Sequence, residues 1–355
     1  MKKSIIASSA IQPFDFFIQW HLTERCNLRC LHCYQGRRRP PEMTAGEVMS
    51  EIDGAARMFQ AWESEQEVRV SPSIHFTGGE PLLYSGFWDV VRHARFSGCR
   101  VAVMTNGSLV TDEDARHFKD LEVFDIQVSL EGPQDLHDSI RGEGSFQAAL
   151  RGTDRLARSQ NRVSANVTLS RLNAPFIGET VRIARDAGFS SIGFSRLVPC
   201  GSGGTMLESI LSPDEVRDAY GKALSLNTQD FAVVSGDPLA GTLRDDAPPE
   251  GCGLTLSGCS AGFSGVTIAS DGTVMPCRRI GISVGSLKRK SLREIWATSK
   301  TLWRLRDRES YRGQCGRCPL WPSCRGCRAV AYAWSLARGR ANLFADDPQC
   351  WRIRG

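Results

Sequence analysis

Cys26, Cys30 and Cys33 stand on one short stretch, Trp20-His21-Leu22-Thr23-Glu24-Arg25-Cys26-Asn27-Leu28-Arg29-Cys30-Leu31-His32-Cys33-Tyr34. Three thiolates on one loop can hold three irons of a cubane iron–sulfur cluster, and with no fourth cysteine nearby one iron stays open to a substrate. The competing chemistry is a zinc loop that borrows a distant ligand such as His32 or His21. Location favours the cluster: an apolar run at 17–22 leads into the loop, and open α/β sheets bind ligands just beyond the carboxyl ends of their strands. A second β-type run ends in Thr77-Gly78-Gly79-Glu80-Pro81. Its glycines let backbone carbonyls approach a ligand and Glu80 adds an acceptor, which suits a cationic amine; the same residues also make an ordinary turn.

Eight more cysteines follow: Cys252, Cys259, Cys277, Cys315, Cys318, Cys324, Cys327 and Cys350. They make two sets of four. Cys315/Cys318 and Cys324/Cys327 are knuckle-like pairs, so zinc competes here too. Only five residues part the pairs, however, where a zinc ribbon leaves about 15 to 20. Cys99, opening a strand, reads as a small core residue. Cys200, in Pro199-Cys200-Gly201-Ser202-Gly203-Gly204, faces the mouth of the fold or sits in a plain loop.

The elements that must position these residues alternate in type. Strand runs at 17–22, 73–77, 100–105, 124–130, 162–168 and 190–196 are separated by helical stretches, the pattern of parallel strands joined by crossovers. Thr44 with Glu47, Thr111 with Asp114, and Ser212-Pro213-Asp214-Glu215 mark helix starts. The expected fold is α/β, a partial (β/α)6 barrel followed by a small cysteine-rich α+β domain. That domain opens with a hairpin, Val266–Ala269 and Thr273–Pro276 around Ser270-Asp271-Gly272. The expected organisation is a flexible segment at 1–14, a core at 15–235, a turn-rich linker at 236–251 and a cluster domain at 252–355. The last part has too little apolar sequence for a self-sufficient core, so bound metal is expected to hold it together.

With 355 residues, a 41% hydrophobic and 23% charged composition and a net charge of +5, the chain reads as globular, not disordered or collagen-like. No apolar run reaches the length of a membrane span, and the basic run at 37–39 reads as a solvated loop. Neither a membrane nor a nucleic acid is expected as partner. Cysteines in metal-type clusters point to a reducing compartment, the cytoplasm.

Cys26/Cys30/Cys33 with His32, together with Gly78-Gly79-Glu80-Pro81, resemble the radical S-adenosylmethionine (SAM) enzymes. Thr105-Asn106-Gly107 and Ser129-Leu130-Glu131-Gly132, at the next two strand ends, also match that family's pattern. The resemblance implies a 4Fe-4S cluster on Cys26, Cys30 and Cys33 that binds SAM and cleaves it reductively to a 5′-deoxyadenosyl radical, which abstracts a substrate hydrogen. It assigns Gly78, Gly79 and Glu80 to the SAM amino group, Ser129 and Arg141 to its carboxylate, Glu131 to the ribose, and the backbone around His32 and Tyr34 to the adenine. The C-terminal cysteines resemble the SPASM extension with two auxiliary 4Fe-4S clusters. By that resemblance Cys252, Cys259, Cys277 and Cys327 ligate the first, and Cys315, Cys318, Cys324 and Cys350 the second. Two residues, not three, lie between Cys324 and Cys327, a departure from the commonest pattern.

Enzymes with this layout mature ribosomally made peptides or trim tetrapyrrole side chains, and 305–350 resembles the subgroup of mycofactocin and haem maturases. Sulfatase maturases carry an acid after the cysteine at the hairpin exit; Arg278 and Arg279 follow Cys277 here. Peptide maturation is the expected function, tetrapyrrole modification the runner-up, and an electron carrier or zinc-stabilised binding module the reading from another class. An electron donor such as flavodoxin or ferredoxin is expected as partner. With a first strand starting by about residue 17, no fused leader-binding domain is expected, so a separate leader-peptide-binding protein is a further candidate partner.

Overall fold

The computed structural model describes residues 14–36, 40–66, 68–243 and 258–352. Cys252, the basic run at 37–39, the segment 1–13 and the second half of the expected linker, 244–251, lie outside the described residues.

One sheet of ten strands runs through the described chain in the order β10-β9-β8-β1-β2-β3-β4-β5-β6-β7. The strands are β1 (Phe14–Thr23), β2 (Val70–Gly78), β3 (Arg100–Thr105), β4 (Asp125–Ser129), β5 (Val163–Leu169), β6 (Ser191–Arg196), β7 (Ala232–Val234), β8 (Gly265–Ile268), β9 (Thr273–Met275) and β10 (Gly285–Ser286). From β1 to β7 every pairing is parallel. Parallel strands need crossovers, supplied here by α1 (Ala45–Gln66), α2 (Phe87–Phe96), α3 (Asp112–Asp120), α4 (Gln134–Arg141), α5 (Ser145–Arg158), α6 (Ile177–Asp186) and α7 (Pro213–Ser225). The expected six strands are present, and β7 adds a seventh, too short at three residues to show a period in the sequence.

The alternation along the strands sorts the two faces. Phe16, Ile18, Trp20 and Leu22 of β1, Ile126 and Val128 of β4, and Val163, Ala165 and Val167 of β5 are buried in one core that also takes in the inner faces of the helices. The opposite face of the strands carries Gln19, His21, His75, Gln127, Ser129, Asn166, Thr168 and Ser195, a polar lining of which His75, Gln127, Ser129, Asn166, Thr168 and Ser195 are only half-buried. A row of polar side chains inside a barrel serves a ligand better than it serves packing.

The C-terminal hairpin extends this same sheet. β8 pairs in parallel with β1, Phe17 opposite Gly265 through Trp20 opposite Ile268. Gly236 to Leu243, the described half of the expected turn-rich linker, is anchored: Asp237 caps the one-turn helix α8 (Pro238–Gly241), whose Leu239 and Ala240 are buried. A satellite apolar cluster of Leu302, Leu305, Tyr311, Trp321, Val330 and Phe344 binds α9 (Leu292–Thr298), α10 (Lys300–Arg306), α11 (Gln314–Arg317) and α12 (Arg328–Ala337) into the second part. The cysteine-rich part therefore packs more apolar surface than its scattered sequence suggests.

Candidate active site

β1 delivers the chain to Thr23, and the cysteine loop begins at once. The exit of β2 is strapped to it: Gly79 N donates to Thr23 O at 2.7 Å and Glu80 N to Arg25 O at 2.8 Å. A side chain at Gly79 would run into the Arg25 carbonyl oxygen and the Cys26 side chain, so this glycine is required for the close approach of two strand ends. Further along the loop, Leu31 N donates to Ile140 O at 2.9 Å. The segment after β6 closes over the far end, where Gly203 N donates to Cys33 O at 3.2 Å and Ser202 N to Gln35 O at 3.3 Å. Gly201, at φ +58°, faces the Tyr34 carbonyl with no room for a Cβ.

The three thiols so positioned are close enough that the ionised forms repel. Burial pushes Cys30 up to about 11 despite the Arg141 charge, and burial likewise raises Cys26 and Cys33. Protonated thiols at neutral pH are poor ligands until a metal displaces the protons, so loading this loop releases acid. Arg141 Nη1 lies 3.7 Å from Cys30 Sγ, and Asn106 Nδ2 lies 4.0 Å from Cys26 Sγ.

Behind the thiols stands a buried charged group. Glu131 accepts from Arg141 Nη2 at 2.6 Å and Nε at 2.9 Å, and from Thr168 N at 3.0 Å. His32 Nε2 lies 2.8 Å from Glu131 Oε1, without the alignment of a hydrogen bond. Burial alone would raise the Glu131 carboxyl, but His32 and Arg141 outweigh it and hold it at about 2. Glu131 and Arg141, assigned by resemblance to different parts of SAM, are thus paired with each other. Glu80 also faces protein: fully buried, it accepts from Thr105 Oγ1 and Asn106 N at 2.8 Å and from Leu82 N at 3.3 Å. Burial lifts its carboxyl to about 7 against those donors. Of this turn, Gly79 is the residue that solvent reaches. Ser129 stands half-buried at the end of β4, on the lumen face. The expected contacts are therefore split between residues that line the space and residues that brace it.

The profile of the radical SAM superfamily matches residues 20–173, and that of the SPASM iron–sulfur cluster-binding domain matches residues 259–328. The chain belongs to the radical SAM superfamily and carries a C-terminal SPASM domain. It is 27% identical to an AdoMet-dependent heme synthase of Oleidesulfovibrio alaskensis, over 95% of this chain and 87% of the relative. It is 29% identical to the mycofactocin maturase MftC of Mycobacterium tuberculosis, over 94% and 82%. Among solved structures, Streptococcus suis SuiB bound to its precursor peptide SuiA superposes with a TM-score of 0.72 at 17% identity, over 96% of this chain and 77% of that one. The cofactors of a radical SAM/SPASM protein are 4Fe-4S clusters and SAM, and the donor set fits them: a loop of three half-buried thiols beside an acidic and amide-rich strand edge.

In the SPASM part cysteines far apart in sequence lie within electrostatic reach of one another. Cys324 feels the charges of Cys315 and Cys350, while Cys327 feels that of Cys259 and shares Arg279 with Cys277. Burial raises Cys324 and Cys327 to about 12 and Cys315 to about 11. Two consecutive acids of the tail hold two of these cysteines by their backbone. Asp346 accepts from Cys315 N at 2.7 Å, and Asp347 accepts from Cys327 N at 2.8 Å. Cys200 lies near Cys277 and Cys33.

Sequence reasoning missed Asn106 as a neighbour of Cys26, Asp346 and Asp347 as clamps on the cysteines, and Gln19 in the lumen. The signals were faint but present: Gln19 and His21 are polar residues two apart in an apolar strand, and Asp346-Asp347 stand just before a cysteine.

Proposed function

We propose that this protein is a radical SAM/SPASM maturase that abstracts hydrogen from a ribosomally made peptide held in the barrel. Cys26, Cys30 and Cys33 would hold the SAM-binding cluster. Gly78, Gly79 and Glu80, Ser129, Arg141, Glu131, His32 and Tyr34 would surround SAM, with Glu131, Arg141 and Glu80 bracing the cluster loop and strand ends. When bound, that cluster and SAM supply a 5′-deoxyadenosyl radical. Cys259, Cys277 and Cys327 with Cys252 would hold one auxiliary cluster, and Cys315, Cys318, Cys324 and Cys350 the other, reached by electrons from a flavodoxin or ferredoxin. The observation that carries the reading is the half-buried polar lining of the barrel, which opens beside the three-thiol loop. Similarity to a peptide maturase along nearly the whole chain supports a peptide as the occupant.

A second reading, modification of a tetrapyrrole side chain, is favoured by the comparable similarity to heme synthases. Anaerobically reconstituted protein given dithionite and SAM is expected to release 5′-deoxyadenosine. Candidate peptides from small reading frames beside the gene, and iron-coproporphyrin III, are then offered separately. A mass change in a peptide alone supports the first reading; a change in the porphyrin alone replaces it with the second. Nucleoside release that survives Cys30→Ala would overturn both.

A further inference from the structure

Arg278 and Arg279 follow Cys277 just past β9, where the SPASM hairpin meets the barrel. Both place their Nε out of water without a hydrogen-bond partner. Arg279 turns toward the cysteines: its charge acts with Cys277, Cys327 and Asp237, and its Nη1 donates to Arg196 O at 3.2 Å. A thiolate-bound cluster is its natural counter-charge. Arg278 turns the other way, into the lumen. Its Nη1 donates to Gln19 Oε1 at 2.6 Å, and its guanidinium stands 5.3 Å from the Tyr34 ring centroid. It also acts on His75 of β2, which burial, aided by this charge and Arg100, holds neutral down to about 4.

After burial, the charged groups that act most strongly on Arg278 are Arg279, Tyr34, Cys277 and Cys200, none of them a carboxylate. Arg278 is half-buried with its Nε shut off from solvent, and a guanidinium so placed beside a second guanidinium is costly unless an anion reaches it. Its neighbours in the lumen, an amide, an aromatic ring and a neutral imidazole, provide none. The planar fork of arginine matches a carboxylate in two-pronged fashion, which a lysine cannot reproduce.

We propose that Arg278 is a specificity-determining residue that receives a carboxylate of the substrate inside the barrel, against Gln19 and beside Tyr34. The proposal rests on the reading of the barrel as the substrate chamber. It deepens that reading, because it requires the substrate to present an anionic group within reach of the cysteine loop. A peptide carboxylate and a tetrapyrrole propionate share this chemistry.

The test uses cluster-loaded protein with SAM present. Wild type, Arg278→Gln and Arg278→Lys are titrated with iron-coproporphyrin III and its tetramethyl ester, and separately with N-acetylated octapeptide pools carrying free or amidated C termini. Wild type should bind the free-acid form of one probe about tenfold more tightly than the blocked form, the scale of a lost charge-assisted hydrogen-bonded pair. Arg278→Gln should erase that preference, and Arg278→Lys should keep only part of it. The arm that responds identifies the source of the carboxylate. Equal binding of acid and blocked forms by wild type in both arms overturns the proposal even if a variant fails to fold, as does a preference that persists in Arg278→Gln. Failure of the functional reading itself would look different, as wild type releasing no 5′-deoxyadenosine from SAM whatever the probes do.

Discussion

At the scale of residues, the site depends on buried charges that must stay paired. Glu131 meets Arg141, His32 and the Thr168 backbone with no access to water. Glu131→Gln leaves Arg141 without its counter-charge, a change that costs about 3–5 kcal/mol when a buried pair is broken. A large fall in Tm is expected, and a variant melting with wild type would remove the bracing role. The pH dependence has a definite sign. The Glu131 carboxyl is held at about 2 when folded, below its ordinary value, so its contribution is present above that ordinary value and lost as pH falls toward the folded one. The stability gap between wild type and Glu131→Gln should therefore shrink between about pH 6 and about pH 3 in denaturant titrations; a gap that widens in acid contradicts the pairing. The three cysteines were legible in the sequence because their spacing is local. The Glu131–Arg141 pair was not, since the two residues face each other only once α4 has turned back onto the end of β4.

Elements place those residues through backbone more than through side chains. The exit of β2 lies on the start of the cysteine loop by two hydrogen bonds, and Gly79 admits that approach. Gly79→Ala must push β2 away from Arg25 and Cys26. It is expected to lower iron bound by the first loop and SAM-dependent nucleoside release together, while auxiliary iron stays. Iron analysis and product quantification on one preparation check this, and a fully active Gly79→Ala variant would show that the contact yields cheaply. The apolar run of β3 was readable to its end residues, whereas β1 and β2 each begin three residues before the runs that announced them. Others escaped: β7 offers only three residues, and β10 two, fewer than any period needs. The pairing of β8 with β1 joins residues that lie far apart in sequence, a register no local pattern encodes.

At the scale of the molecule, a buried guanidinium adds to the β1–β8 pairing that joins the barrel and the SPASM part. Arg196, at the end of β6, donates to Asp237 at 2.8 and 3.1 Å and to Asp347 at 2.8 and 3.0 Å, and Gln349 accepts from it at 3.1 Å. Asp347 in turn takes the backbone N–H of Cys327, so a strand of the barrel, the chain leaving it and the tail before Cys350 converge on one proposed cluster ligand. Arg196 reads in sequence as the polar end of an apolar strand, and nothing local reveals that its partners come from segments far along the chain. Asp347→Asn keeps the shape but removes a charge from Arg196, whereas Asp347→Ala also frees the Cys327 backbone. Asp347→Ala is thus expected to lose more stability than Asp347→Asn and to lower bound iron by roughly one cluster's worth, four atoms for a cubane. The first loop, tied to β2 and α4, should keep its own iron, and SAM cleavage should persist. If Asp347→Ala retains full iron content, or if the two substitutions cost the same, the acid serves only the ion pair and the ligand is positioned by the surrounding chain alone.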